Sequence, residues 1–86
     1  METVTVHIAG CGLDFDTARA LALTLAARDN PETMLVAWCD REKGAHSPSC
    51  VKCESNGLPG WEVYGRNHDG RLRIAFNDEA LVFIHT

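Results

Sequence analysis

An 86-residue chain with 45% hydrophobic residues carries enough apolar material for one small core, and so for a single domain. Its formal charge of -4 at pH 7, with Lys and Arg scattered rather than striped, argues against a phosphate-tracking surface, so nucleic acid is not an expected partner. No apolar run approaches the ~20 residues of a membrane span, and METVTVHIAG lacks the basic and apolar regions of a signal peptide. The expectation is a cytoplasmic protein whose four cysteines serve as thiols, metal ligands or redox groups rather than as a disulfide framework.

Thr3 to Ile8 alternates β-branched and apolar residues, with Val4, Val6 and Ile8 on one face and Thr3, Thr5 and His7 on the other, which predicts a strand with one wet face. Ala9-Gly10-Cys11-Gly12 breaks it. Asp14 or Asp16 then caps a helix over about 15–28, whose apolar face is Phe15, Ala18, Leu21, Ala22 and Leu25 and which stops before Asn30-Pro31. The near-continuously apolar Thr33 to Asp40 reads as a central strand covered on both faces. A right-handed crossover makes the first two strands parallel and brings Cys11 and Cys39 to the same sheet end, Cys11 near the helix start, where a lowered thiol pKa is expected. Further on, Trp61 to Tyr64 reads as a short strand and GRNHDG as a turn. Arg71 to Asn77 reads as a half-exposed strand with Leu72, Ile74 and Phe76 inward and Arg71, Arg73 and Ala75 on a solvated face. Leu81 to His85 completes an antiparallel meander. The fold class predicted is α+β, in the order β-α-β-β-β, with one helix packed on a four-stranded, mostly antiparallel sheet.

Between the second and third of these strands lies the long connection from Cys39 to Trp61, which holds three of the four cysteines and one of the four histidines. Compact domains seldom keep about 20 residues of connection without function or hidden structure in it. Cys50 and Cys53 form a CxxC pair, His46 stands four residues before Cys50, and Cys39 lies upstream. Thiolates and imidazole are zinc ligands, and two residues between the cysteines let both sulfurs face one ion. The metal set read from sequence is therefore Cys50, Cys53, Cys39 and His46, with zinc as the cofactor. His68 is disfavoured, because an antiparallel third strand carries its turn to the opposite sheet end. The alternative is an extended segment, paired for example with Trp61 to Tyr64, in which residues three apart point to opposite faces and Cys50 and Cys53 cannot chelate together. Thiol redox chemistry, or a thiol enzyme, is a third reading, with Cys11 a better candidate than the CxxC pair because a low-pKa cysteine opens a helix and Glu-Ser-Asn-Gly-Leu-Pro-Gly does not form one. No catalytic constellation is recognisable, and a protein-interaction role through a sheet edge, with a homodimer as its simplest form, stays open.

Ala37-Trp38, His46-Ser47-Pro48, Pro59-Gly60-Trp61-Glu62-Val63-Tyr64, Asn77-Asp78 and Val82-Phe83-Ile84 together resemble a small prokaryotic family of unknown function, over the part from about Leu35 to the end. The resemblance implies a short, free-standing, soluble α+β protein and carries over no catalytic residue, cofactor or substrate. The metal expectation rests on the residues alone.

Overall fold

The computed structural model describes residues 1–49 and 57–86. Its elements in chain order are β1 (Glu2–Val6), α1 (Phe15–Asp29), β2 (Leu35–Asp40), β3 (Ala45–Ser47), α2 (Gly60–Asn67), β4 (Leu72–Phe76) and β5 (Leu81–His85). The fold is α+β, and the sheet is mostly antiparallel, but among the described residues it has five strands rather than four and is covered by two helices rather than one. Strand order is β1-β4-β5-β2-β3, with β1 and β4 parallel and the other neighbours antiparallel.

β1 and β2 run in the same direction, as the crossover argument requires, yet they are not neighbours, because the β4–β5 hairpin lies between them. The reason lies in the side chains. Every residue of LRIAF and LVFIH is buried, so this hairpin must have cover on both faces and takes the centre. β1 exposes Thr3 and Thr5 and is content at an edge. The expectation of a solvated Arg73 and Ala75 face is overturned for the same reason: α2 lies over that side and buries both.

Two cores result. On one face α1 packs its small Ala18, Ala22 and Ala26 against Leu72, Ile74, Phe76, Leu81 and Phe83, with Phe15 edge-on to Trp38 at 4.7 Å between ring centroids. Asp14 is the N-cap, its carboxylate accepting from the Thr17 amide at 2.7 Å, and Asn30 ends the helix. Leu21, expected inward, is exposed, since the alanine stripe is the one that lets the helix approach closely. On the other face Trp61 covers Ala37, Cys39, Ala75, Val82 and Ile84.

Trp61 to Tyr64 is thus helical, not a strand, and offers no strand edge to the CxxC segment, which lies outside the described residues. Its β-forming residue types are overridden by packing: Trp61, Glu62 and Gly65 form the buried side of two short turns. The helix closes at Gly65, whose carbonyl accepts from the Gly70 amide at 2.9 Å across Asp69, held at φ 65 in the left-handed region. Gly70 is required there by proximity, since a Cβ would collide with the Gly65 carbonyl oxygen and would lie 2.7 Å from Ile84 Cγ2.

The β4–β5 hairpin turns through Asn77, Asp78 and Glu79, with φ of 47, 57 and 71, all in the left-handed region that hairpin turns normally give to Asn and Gly, and the Ala80 amide closes it on the Asn77 carbonyl at 3.3 Å. Asn77 ties this turn to β1: its amide donates to the Val6 carbonyl at 2.9 Å and its side-chain oxygen accepts from the Ile8 amide at 2.8 Å.

Candidate functional site

The long connection contains hidden structure. A tight turn, in which the Asp40 carboxylate accepts from the Lys43 amide at 3.2 Å and Gly44 takes φ 64, folds β3 back on β2. The register places His46 directly across from Cys39. Directly opposed residues of an antiparallel pair share a face, with Cβ atoms about 4.5 to 5.5 Å apart. That face is the one covered by α2, where Cys39 packs in the Trp61 core.

The chemistry of the pair follows from its partners. His46 Nδ1 lies 3.0 Å from the Pro48 carbonyl oxygen, and because a carbonyl can only accept, this nitrogen carries the proton. Nε2 is then the lone-pair nitrogen in the neutral ring, the arrangement that backbone carbonyls impose on metal-binding histidines. The Cys39 thiol has its pKa raised, first by burial and then by the Asp40 charge, with Arg41 opposing, so without a metal ion it stays a thiol. Cys50 and Cys53 lie outside the described residues. Among the described residues no group of three or more His, Cys, Asp or Glu side chains is gathered to hold an ion.

The remaining sequence candidates are separated from this pair. Cys11 is exposed in the loop before α1, and Asp14 rather than Cys11 occupies the cap. His68 stands before β4, at the sheet end away from Cys39, where it stacks on Tyr64 at 3.8 Å and Nδ1–H donates to the Tyr64 carbonyl at 2.8 Å.

A buried charge network beside Cys39 escaped the sequence reading. Arg73 reaches across the α2 face, donating to both Glu79 carboxylate oxygens at 2.8 Å and to Glu62 Oε1 at 3.3 Å. Arg66 lies 3.9 Å from Glu62, and Arg41 lies 3.4 Å from Glu79. The hydrogen bonds from Arg73 hold the Glu79 carboxyl below its usual range, and those to Glu79 raise the Arg73 pKa, against the opposing effect of burial. Every charge in the network has a partner, so it reads as a clamp between helix, strand and turn rather than as reactive groups. The i,i+4 spacing of Glu62 and Arg66 was the sequence signal for the helix that carries it. The second missed residue is His85, buried at the end of β5.

The sequence profile of the family described as "Domain of unknown function (DUF5619)" matches residues 1–85. No curated protein matches the sequence. Among solved structures, the chain is similar to the crystal structure of a novel protein, AF1514, from Archeoglobus fulgidus DSM 4304, with a TM-score of 0.81 and 22% identity over 100% of this chain and 93% of the other. At that identity the likeness concerns the fold. No helix among the described residues is long and apolar enough to cross a membrane.

Proposed function

We propose, for a chain that belongs to the DUF5619 family of domains of unknown function, that it is a small binding module whose β2–β3 hairpin holds one structural zinc ion through Cys39, His46, Cys50 and Cys53. The observation that carries the reading is the cross-strand pairing of Cys39 and His46, with the imidazole proton committed to Pro48 and the other nitrogen left to a metal. Cys50 and Cys53 enter by sequence, four and seven residues after His46. Two thiolates from the CxxC pair, a third from β2 and one imidazole would complete a Cys₃His set, a common structural zinc site with Zn–S near 2.3 Å. Zinc would displace the proton that burial holds on Cys39, so binding releases protons and strengthens with pH.

The test is elemental analysis of protein purified without a histidine tag. One zinc per chain is expected, and chelator should lower the melting temperature of the wild type while leaving a Cys50→Ser, Cys53→Ser variant unchanged. Protein without stoichiometric metal after growth in zinc-supplemented medium, or a double variant that keeps its zinc, would defeat the reading.

A second reading has its own observation. Among the described residues β1 pairs on one side only, has four β-branched residues after Glu2, and lacks the proline, lysine or bulge that guards free edges. A second copy could add across it to extend the sheet, as a homodimer. Light scattering decides this: a monomer mass at all concentrations removes it.

A further inference from the structure

The face that carries α1 is only partly covered. α1 lies on β4 and β5, and the side toward β2 is left open as a groove. Its volume is about 500 Å³, within the range of small-molecule sites. Asp16, Arg19, Ala20 and Leu23 of α1 form one wall, and Leu35 and His85 the floor.

His85 is the unusual element, since it is 2% exposed and Nε2 has no hydrogen-bond partner among the described residues. Its protonation is fixed by bookkeeping of one hydrogen. The Thr33 hydroxyl donates its only proton to the Thr86 carbonyl at 2.9 Å, so in the 3.1 Å contact between that oxygen and His85 the donor must be Nδ1–H. Nε2, on the ring side away from Thr33, is therefore a bare lone pair. Burial, and the Arg19 charge facing it from α1, lower the His85 pKa and keep this neutral form. A buried acceptor without a donor is rare in native structures and costs stability until something supplies one.

Arg19 itself has no ion pair among the described residues. The groove thus presents one cation and an apolar lining of Ala20, Leu23 and Leu35 above a floor in which the unsatisfied His85 Nε2 lies buried, so a ligand donor must enter that floor to reach it, while Asp16 on the same wall repels a second negative charge. We propose that this groove binds a small amphipathic hydroxy acid: a monocarboxylate for Arg19, a hydroxyl that donates to His85 Nε2, and a compact apolar body. A second copy of the chain would cover the apolar rim but would leave the buried acceptor unpaired. The site lies on the opposite face of the sheet from the Cys39 and His46 pair, so zinc loss and ligand loss are separable.

The probes are mandelate, its deoxy counterpart phenylacetate, and benzyl alcohol, titrated against ¹⁵N-labelled full-length chain by NMR. Mandelate should shift the amides of the groove residues and move the His85 Nε2 resonance toward that of a hydrogen-bonded acceptor. Phenylacetate should bind roughly tenfold more weakly, because it leaves the acceptor unpaired. Arg19→Gln should weaken both acids and leave benzyl alcohol unchanged. Ala20→Trp, at an exposed helix position that tolerates a larger side chain, should abolish binding without unfolding. Equal affinity for mandelate and phenylacetate, shifts outside the groove, no shifts at millimolar probe, or self-association in place of ligand binding would each overturn the proposal.

Discussion

Arg73→Met should cost this protein about 3 to 5 kcal/mol, and the reason is the carboxylate left behind. Arg73 and Glu62 have side chains only 11% and 7% exposed, whereas Glu79 is 42% exposed. When the guanidinium goes, Glu79 returns to water, and that half of the loss is held to about 1 kcal/mol by solvent screening. Glu62 cannot escape. Among the described residues it keeps only Arg66 at 3.9 Å, and an uncompensated buried carboxylate supplies the larger part of the penalty. Glu79→Gln should therefore cost about 1 kcal/mol, because Arg73 still has Glu62. Adding Glu62→Leu to Arg73→Met should recover much of the loss, since apolar replacements of a buried pair are often neutral. Urea melts at pH 7 with an unchanged m-value measure all of this. A loss below about 1 kcal/mol for Arg73→Met, or a double variant no better than the single, would show that the network contributes no net constraint.

Gly70→Ala should destabilise more than Gly65→Ala, because a methyl at residue 70 meets the Gly65 backbone carbonyl, whereas at residue 65 it meets the movable end of Ile84 at 2.9 Å and gains about 1 kcal/mol of helix propensity. Comparing the two melting temperatures checks the order. Trp61→Ala should cost about 3 to 5 kcal/mol, as the ring is 3% exposed over the α2-side core, and a loss under about 1 kcal/mol in the same melts would contradict that burial. The lowered His85 pKa means that the folded state refuses a proton the unfolded chain accepts. Its stabilising contribution is complete above the ordinary histidine value of 6.5 and is lost as pH falls toward the lowered folded value. Melting temperatures between pH 7 and 5 should fall in the wild type, and His85→Gln should flatten that limb.

The parts of the fold legible in sequence were those written in long periodic segments. The Asp14 cap, the Asn30-Pro31 stop and the alanine-rich face of α1 all follow from local chemistry, as do the alternating β1 and the apolar runs of β4 and β5, although the burial of both faces of β4 does not. The parts missed were decided by partners far along the chain. Ala45-His46-Ser47 is too short and polar to announce a strand, and it is one only because β2 offers an edge. WEVY has strand-forming side chains, but a strand there would leave Ala75 and Arg73 uncovered, whereas a helix buries them with Trp61 and Glu62. For the candidate site, spacing put Cys39 and His46 in one set, and register made them neighbours. Nothing in the spacing of His85 marked it as buried, since its environment is assembled from Thr33, Thr86 and Arg19.

The tie between Asn77 and Ile8, 69 residues apart, implies a particular timing for synthesis. β1 is translated long before β4, the strand it pairs with, while the β4–β5 hairpin can close as soon as it is made. At ribosomal speeds the wait is on the order of seconds, far longer than a hairpin or helix needs to form. β1 must pass that interval without a partner, and its threonines, which the finished sheet leaves in water, keep the waiting strand polar along one side. The parallel docking of β1 cannot precede β4, and Asn77 is the latch that fastens it. Weakening that latch should lengthen the exposure of β1 before it should disturb the hairpin it closes on.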